Sequence, residues 1–160
     1  MIGREETVTV IETAIDDMNP EIYSYLIDQL LKNGALDAYT IPVYMKKGRP
    51  ASLLSVICKE EMRERLLEVI FAETTTLGVR MREEKRRVLA RKFFDVETPW
   101  GKVRIKAGYR NGEGGDPLQI APEYEDCRKI AEEKGVPLKE VYAAARQAAE
   151  KIKNKERRVE

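Results

Sequence analysis

Thr7-Val8-Thr9-Val10-Ile11-Glu12-Thr13-Ala14-Ile15, running into Asp16-Asp17-Met18-Asn19-Pro20, decides how the rest of this chain is read. Alternation and β-branching over 7–15 predict a strand. Asp16 and Asp17 leave it. Asn19 is placed to cap a helix, and Pro20 to take its first position, where a missing N–H is no loss. Ile22, Leu26, Leu30 and Leu31 share one face of that helix, and Gly34 stops it.

The same half-pattern then repeats with a hairpin in front. Ala38 to Met45, rich in Tyr, Ile and Val, predicts a second strand. Lys46-Lys47-Gly48-Arg49-Pro50 reads as a turn, and Leu53 to Cys58 as a third strand paired with the second. Lys59 to about Thr75 predicts a helix with Met62, Leu66, Leu67, Ile70 and Phe71 inward; Gly78 breaks it, and Val79 onward returns to strand. Strand–helix–strand–strand–helix–strand is the split βαβ, ferredoxin-like order, an α+β fold over residues 1–90. The right-handed crossover rule puts both helices on one face of an antiparallel sheet. It also brings the loop after the first strand close to the loop after the second helix.

Residues 91–160 read as an extension of the same domain. Val88 to Ala107 predicts a strand pair turning at Thr98-Pro99-Trp100-Gly101. Arg110 to Pro117, with three glycines, reads as a mobile loop. Pro122 to Lys134 predicts a helix closed by Gly135. Pro137 opens a last one, with Leu138, Val141, Tyr142, Ala145, Ala148, Ala149 and Ile152 on one stripe. The charged end from Lys153 to Glu160 is expected to fray.

Composition removes several chemistries. The 160 residues hold 29 Lys plus Arg against 28 Asp plus Glu, so a broad basic coat for nucleic acid is absent. There is no histidine, which excludes His triads, His-ligated zinc and haem-His sites. The two cysteines, Cys58 and Cys127, are too far apart for a CxxC motif and suit a cytoplasmic protein. No apolar run approaches the roughly 20 residues of a membrane span. Metal chemistry here rests on carboxylates, hydroxyls, backbone oxygens or cysteine.

Four segments carry candidate chemistry. Strand alternation puts Glu12 and Asp16 on one side near a strand end, with Asp17 beside them, a set of hard oxygen ligands suited to Mg²⁺ or Mn²⁺. The aspartates equally suit a plain helix start. Lys46, Lys47 and Arg49 around Gly48 make a positive turn whose N–H groups can face a phosphate, or a solvated hairpin. Thr74-Thr75-Thr76 end a helix where threonine is a poor helix former; their hydroxyls suit phosphate oxygens, with Arg80 as counter-charge, or simply back-bond the last carbonyls. Glu123, Glu125 and Asp126 fit the N-terminus of a helix, with Cys127 one turn in reach of a soft metal. Arg80 to Lys92 holds seven basic and two acidic residues, but three Phe and one Trp leave few stacking platforms for RNA. Acid, base and hydroxyl together are what a metal–nucleoside-triphosphate site needs, and no GxxxxGK[ST] is present, so it is not a P-loop.

Ile15 to Glu21, Met45 to Pro50, Glu73 to Arg80 and Pro122 to Cys127 stand in the order and spacing of one family. From about Val8 to Ile152 the chain resembles the C-terminal domain of the nickel insertion proteins that complete the nickel-pincer nucleotide cofactor of lactate racemase. The resemblance implies a CTP-dependent nickel chelatase of the lyase class. With Mn²⁺ or Mg²⁺ it inserts Ni²⁺ into pyridinium-3,5-bisthiocarboxylic acid mononucleotide, and CTP is cleaved to CMP and pyrophosphate through transient cytidylylation of the substrate. Carried onto this sequence, Asp16 and Asp17, with Glu12 beside them, would hold the triphosphate-bound metal. Lys46, Lys47 and Arg49 would hold phosphates, joined by Thr75, Thr76 and Arg80. Asp16, Asp17 and Lys46 would stand nearest the reacting phosphate. Members of the family also carry a histidine-rich N-terminal domain, so the chain is expected to correspond to the C-terminal part of a longer protein, or to a separately made second piece. A homo-oligomer covering its sheet edges is expected as well. The competing reading is a non-catalytic ferredoxin-like oligomerisation or small-ligand-binding module.

Overall fold

The computed structural model describes residues 2–110, 112 and 115–156, with side chains up to residue 152. The strands are β1 (Arg4–Ile15), β2 (Asp37–Met45), β3 (Arg49–Cys58), β4 (Arg80–Val88), β5 (Ala90–Thr98), β6 (Gly101–Tyr109) and β7 (Gln119–Pro122). The helices are α1 (Ile22–Lys32), α2 (Arg63–Glu73), α3 (Tyr124–Lys134) and α4 (Leu138–Glu156). The chain divides into two compact units: Glu5–Arg86, and Arg87–Glu160 with Met1–Arg4.

The first unit is a four-stranded sheet in the order β2-β3-β1-β4, with β3 antiparallel to both neighbours. This is the ferredoxin-like order expected. Leu26 and Leu30 of α1 and Leu66 and Ile70 of α2 pack with Ile11, Leu54, Val56 and Cys58, so both helices cover one sheet face. β1 is a central strand, so Val8, Thr9, Val10 and Ile11 are all buried, on both faces. Its helix-facing positions include Thr9 and Thr13, whose hydroxyls are satisfied by other segments: Thr9 Oγ1 donates to Glu60 Oε2 at 2.7 Å.

Asn19 caps the entry to α1 through a tight first turn that precedes Ile22: its Oδ1 accepts from the Glu21 N–H at 3.1 Å and its carbonyl from the Ile22 N–H at 3.1 Å, with Glu21 already in the helical region. Several boundaries and faces differ from expectation. Leu31 and Phe71, expected inward, are exposed, and Ile152 is partly so. Residues 60–62 form a separate 3-10 turn ahead of α2. β3 starts four residues early, at Arg49, because the hairpin register runs out to Met45↔Arg49.

The second unit is a three-stranded antiparallel sheet, β5-β6-β7. Val96, Val103 and Ile105 pack against Cys127 and Ile130 of α3 and Val141, Ala145 and Ala149 of α4. β7 was expected as coil and helix start. Four residues ending in proline carry little strand signal, but an edge position needs few ladder bonds and tolerates Pro122. Gly135 closes α3 in the left-handed region at φ 63. The loop expected at 110–117 falls partly on residues 111, 113 and 114, and the fraying end on 157–160, which lie outside the described residues. No helix among the described residues is long and apolar enough to cross a membrane.

Candidate functional site

Three segments far apart along the chain meet at one end of the four-stranded sheet. β1 ends at Ile15 and delivers Asp16 and Asp17. The β2–β3 turn delivers Arg49, whose Nη1 donates to Asp16 Oδ2 at 3.1 Å. The loop from α2 to β4 delivers Thr75, whose Oγ1 donates to Asp17 Oδ1 at 2.5 Å. Beneath them the buried Thr13 hydroxyl lies 2.6 Å from Thr76 Oγ1, and Thr13 and Thr76 reach the Gly78 carbonyl at 3.0 and 2.9 Å. Gly78 and the poor helix propensity of the threonines end α2 here, which frees these hydroxyls for the loop. Thr74 alone takes the back-bonding role, donating to the Ile70 carbonyl at 2.7 Å.

Lys46 and Lys47 are exposed in the adjoining turn, without an ion-pair partner among the described residues. Lys47 sits at φ 64 and Gly48 at φ 69, both left-handed. A non-glycine residue there is uncommon, and successive N–H groups in such a turn open outward toward an anion. Arg80 is exposed at the start of β4.

Glu12 goes elsewhere. It pairs across the strand with Ser55, on the sheet face opposite the helices, and accepts from Arg82 Nη1 at 2.7 Å and Nη2 at 3.2 Å. That two-pronged bond, against the opposing pull of burial, holds its carboxyl below the usual range, with Arg80 adding a little. Among the described residues no three His, Cys, Asp or Glu side chains gather as a metal cage. The site therefore offers Asp16 and Asp17, not the Glu12-Asp16-Asp17 set. Two carboxylates fit the mode in which Mg²⁺-like ions are held by one or two protein oxygens, with substrate phosphates and waters completing the shell.

Three side chains at this end escaped the sequence reading. Thr13 looked like one more strand threonine. Tyr23 and Ser52 hydrogen-bond each other, and burial, with a smaller push from the Asp17 charge, raises the Tyr23 hydroxyl above its ordinary pKa.

The second acidic segment is spent on structure. Asp126 takes the Arg104 guanidinium at 2.8 and 2.9 Å and the Arg104 backbone N–H at 3.0 Å. Glu125 pairs with Arg128 at 2.9 Å, and Glu123 lies 3.7 Å from Lys106. Cys127 is buried in the core, and desolvation pushes its thiol up, as it does for Cys58. The basic run along β4 is laced to β1 by Arg82–Glu12, Lys85–Glu5 and Arg86–Glu6 pairs.

Known proteins are similar to this chain in sequence and in fold. The pyridinium-3,5-bisthiocarboxylic acid mononucleotide nickel insertion protein of Thermotoga petrophila is 45% identical over 142 residues, 89% of this chain and 35% of that protein. Its namesake from Acetivibrio thermocellus is 45% identical over 144 residues, 90% of this chain and 34% of that protein. The chain thus spans about a third of the length of the curated relatives it matches. Among solved structures it is similar to LarC2, described as the C-terminal domain of a cyclometallase involved in the synthesis of the NPN cofactor of lactate racemase. The TM-score is 0.83 at 36% identity, covering 92% of this chain and 99% of that one. The family described as nickel insertion protein matches residues 2–142, and the chain belongs to it.

Proposed function

We propose that this chain grips the nucleotide in CTP-dependent insertion of nickel into pyridinium-3,5-bisthiocarboxylic acid mononucleotide. In this reading it works as part of a longer cytoplasmic nickel insertion protein, with an N-terminal domain and in a homo-oligomer. The observation that carries the reading is the pairing of Asp16 with Arg49 and Asp17 with Thr75, which ties three sequence-distant loops of opposite charge at one end of a sheet.

The chemistry follows from those groups. Asp16 and Asp17 would hold Mn²⁺ or Mg²⁺, which would supply positive charge to offset that of the triphosphate. Lys46, Lys47 and Arg49 take the remaining phosphate charge, Arg49 with two parallel donors. A triphosphate would compete with Asp16 for Arg49, whose Nη1 now donates to Asp16 Oδ2, and Asp16 would then be open to the ion. Thr75 and Thr76 add hydroxyl donors, and Arg80 adds counter-charge. An acceptor oxygen of the substrate would attack the α-phosphorus as the bond to pyrophosphate breaks, and water would later cleave the cytidylyl ester to give CMP and the freed oxygen.

Thermal unfolding with CTP and Mn²⁺ tests this. A ligand that binds only the folded chain raises its Tm. CTP with Mn²⁺ is expected to raise Tm more than ATP with Mn²⁺. Equal shifts from both, or none from either, would sink the cytidine reading and favour a small-ligand or assembly module.

A further inference from the structure

At the end of the four-stranded sheet where the three loops meet, the helices stop short of the strands. The helix-covered face of β3 runs Cys58, Val56, Leu54, Ser52, Pro50 toward that end, and the same face of β2 runs Ala38, Thr40, Pro42, Tyr44. Leu54 is fully buried, Ser52 half-buried and Pro50 exposed, so cover is lost over the last two rows. The last row pairs Tyr44 with Pro50; the row before it pairs Pro42 with Ser52, which also pairs with Ile15 of β1. Tyr23, in the first turn of α1, hydrogen-bonds Ser52 and marks where the cover ends. Beyond it lies a ledge of Pro42, Tyr44 and Pro50, all exposed, with Tyr44 at 82%.

This ledge adjoins the charged groups. Pro50 follows Arg49, whose guanidinium pairs with Asp16, and Met45 alone separates Tyr44 from Lys46. The Asp17 carboxylate is close enough for its charge to act on the Tyr23 hydroxyl. Successive rows on one face are about 7 Å apart, so Tyr44 stands one row beyond Ser52. A nucleotide held here by its phosphates has only a ribose between them and its base, so the base must fall within a row or two of Arg49. An aromatic ring left nearly bare in a strand is apolar surface kept in water, and the prolines beside it hold the backbone fixed. A flat ligand ring would cover that surface with little ordering of the protein. Pairing of a second copy along the β2 edge is disfavoured, because Pro42 sits mid-strand with no N–H to donate.

We propose that the ledge of Tyr44 and Pro50, extended by Pro42, is the platform on which the base of the nucleoside triphosphate stacks. The platform presupposes the nucleotide-gripping function and adds to it the residue that carries the base. Every base has a π face, so stacking on Tyr44 adds affinity for any nucleoside triphosphate and does not itself choose cytosine.

The test is titration calorimetry with CTP and with inorganic tripolyphosphate, each with Mn²⁺, on wild type, Tyr44→Ala and Tyr44→Phe. Tyr44→Ala is expected to weaken CTP roughly tenfold, a common worth of one base stacked on an aromatic ring, and to leave tripolyphosphate unchanged. Tyr44→Phe keeps the ring and is expected to bind both ligands as wild type does. Tm without ligand is expected to hold in both variants, since the side chain is exposed. Equal loss of both ligands in Tyr44→Ala, or loss of CTP in Tyr44→Phe as large as in Tyr44→Ala, would overturn the platform. So would a smaller particle mass for unliganded Tyr44→Ala in light scattering, which would make the ledge a contact between copies. Full CTP affinity in Tyr44→Ala, with both ligands binding wild type, would remove the platform and leave the phosphate grip standing. If ATP binds as tightly as CTP and both weaken in Tyr44→Ala while tripolyphosphate does not, the cytidine reading falls and the platform stands. Binding of neither CTP nor tripolyphosphate to wild type would end both.

Discussion

Two acidic segments, Asp16-Asp17 and Glu123 to Asp126, look alike in the sequence and end differently. Asp126 is held by both nitrogens of one guanidinium fork and by a backbone N–H. Asp16 and Asp17 each have one side-chain partner in the first unit, and those partners come from 33 and 58 residues away. The first arrangement leaves a carboxylate little freedom to take a ligand. The second leaves each carboxylate with free lone pairs and draws in loops that themselves carry phosphate-binding chemistry. Saturation by local partners, more than charge count, separates a structural acid cluster from a candidate site.

The largest test of that contrast is charge reversal. At a free nucleotide level about 100-fold above Kd, binding stabilises the fold by about 2.7 kcal/mol. Asp16→Lys is expected to abolish that CTP–Mn²⁺ increment in thermal unfolding. Asp126→Ala is expected to lower the basal Tm and leave the increment whole. Loss of the increment in both, or in neither, would erase the distinction.

A smaller effect is expected at Thr13. Its hydroxyl is buried and holds Thr76 and the Gly78 carbonyl under the aspartates. Thr13→Val keeps the shape and removes the donor, at about 1 kcal/mol of stability. The CTP increment is expected to shrink as the α2–β4 loop loosens, and Thr13→Ser to restore both. A stability loss with an intact increment would make Thr13 a packing residue only.

The order of elements was legible because each change of period is abrupt: β-branched alternation at 7–15, then Asn19-Pro20, then a helical stripe. Strand order followed from connection rules. What was not legible came from contacts between distant segments. Nothing near Glu12 in sequence announces Arg82, 70 residues on, yet that pair takes Glu12 away from Asp16. Leu31 and Phe71 lie at the margin of their stripes, where a few degrees of helix rotation decide burial. β7 is too short and proline-ended to signal itself. At the site, the aspartates, lysines and threonines could be read from residue type. Thr13, Tyr23 and Ser52 could not, since a strand or helix interior gives a hydroxyl no mark of what it will touch.

Lys47 offers a third, weaker test. Its left-handed backbone costs about 1–2 kcal/mol for an L-residue, and glycine avoids most of that while losing about 0.5–1 kcal/mol in chain entropy. Lys47→Gly is therefore expected to raise basal stability by about 0.5 kcal/mol. It should also reduce the CTP increment, because one phosphate-facing cation is gone. A stabilised variant with full nucleotide response would remove Lys47 from the site and leave its backbone conformation without a functional reason.

The smallest effect lies in pH, and it returns to Asp126. Hydrogen bonds from the Arg104 side chain, then from its backbone N–H, hold the Asp126 carboxyl below its ordinary value of 3.8. Between the lowered and the ordinary value the unfolded chain binds the extra proton, so stability rises with pH across that window. The contribution is complete above about pH 4 to 5 and fades as pH falls through the lowered value. Stability differences between wild type and Asp126→Asn are therefore expected to stay level from neutral pH to about 5 and to narrow only in stronger acid. Arg104 is 54% exposed, so added salt should shrink the difference at every pH, as it does for solvent-facing pairs. A difference that instead grew toward acid would mean the carboxylate is opposed in the folded state, and the clamp assigned to Asp126 would be wrong.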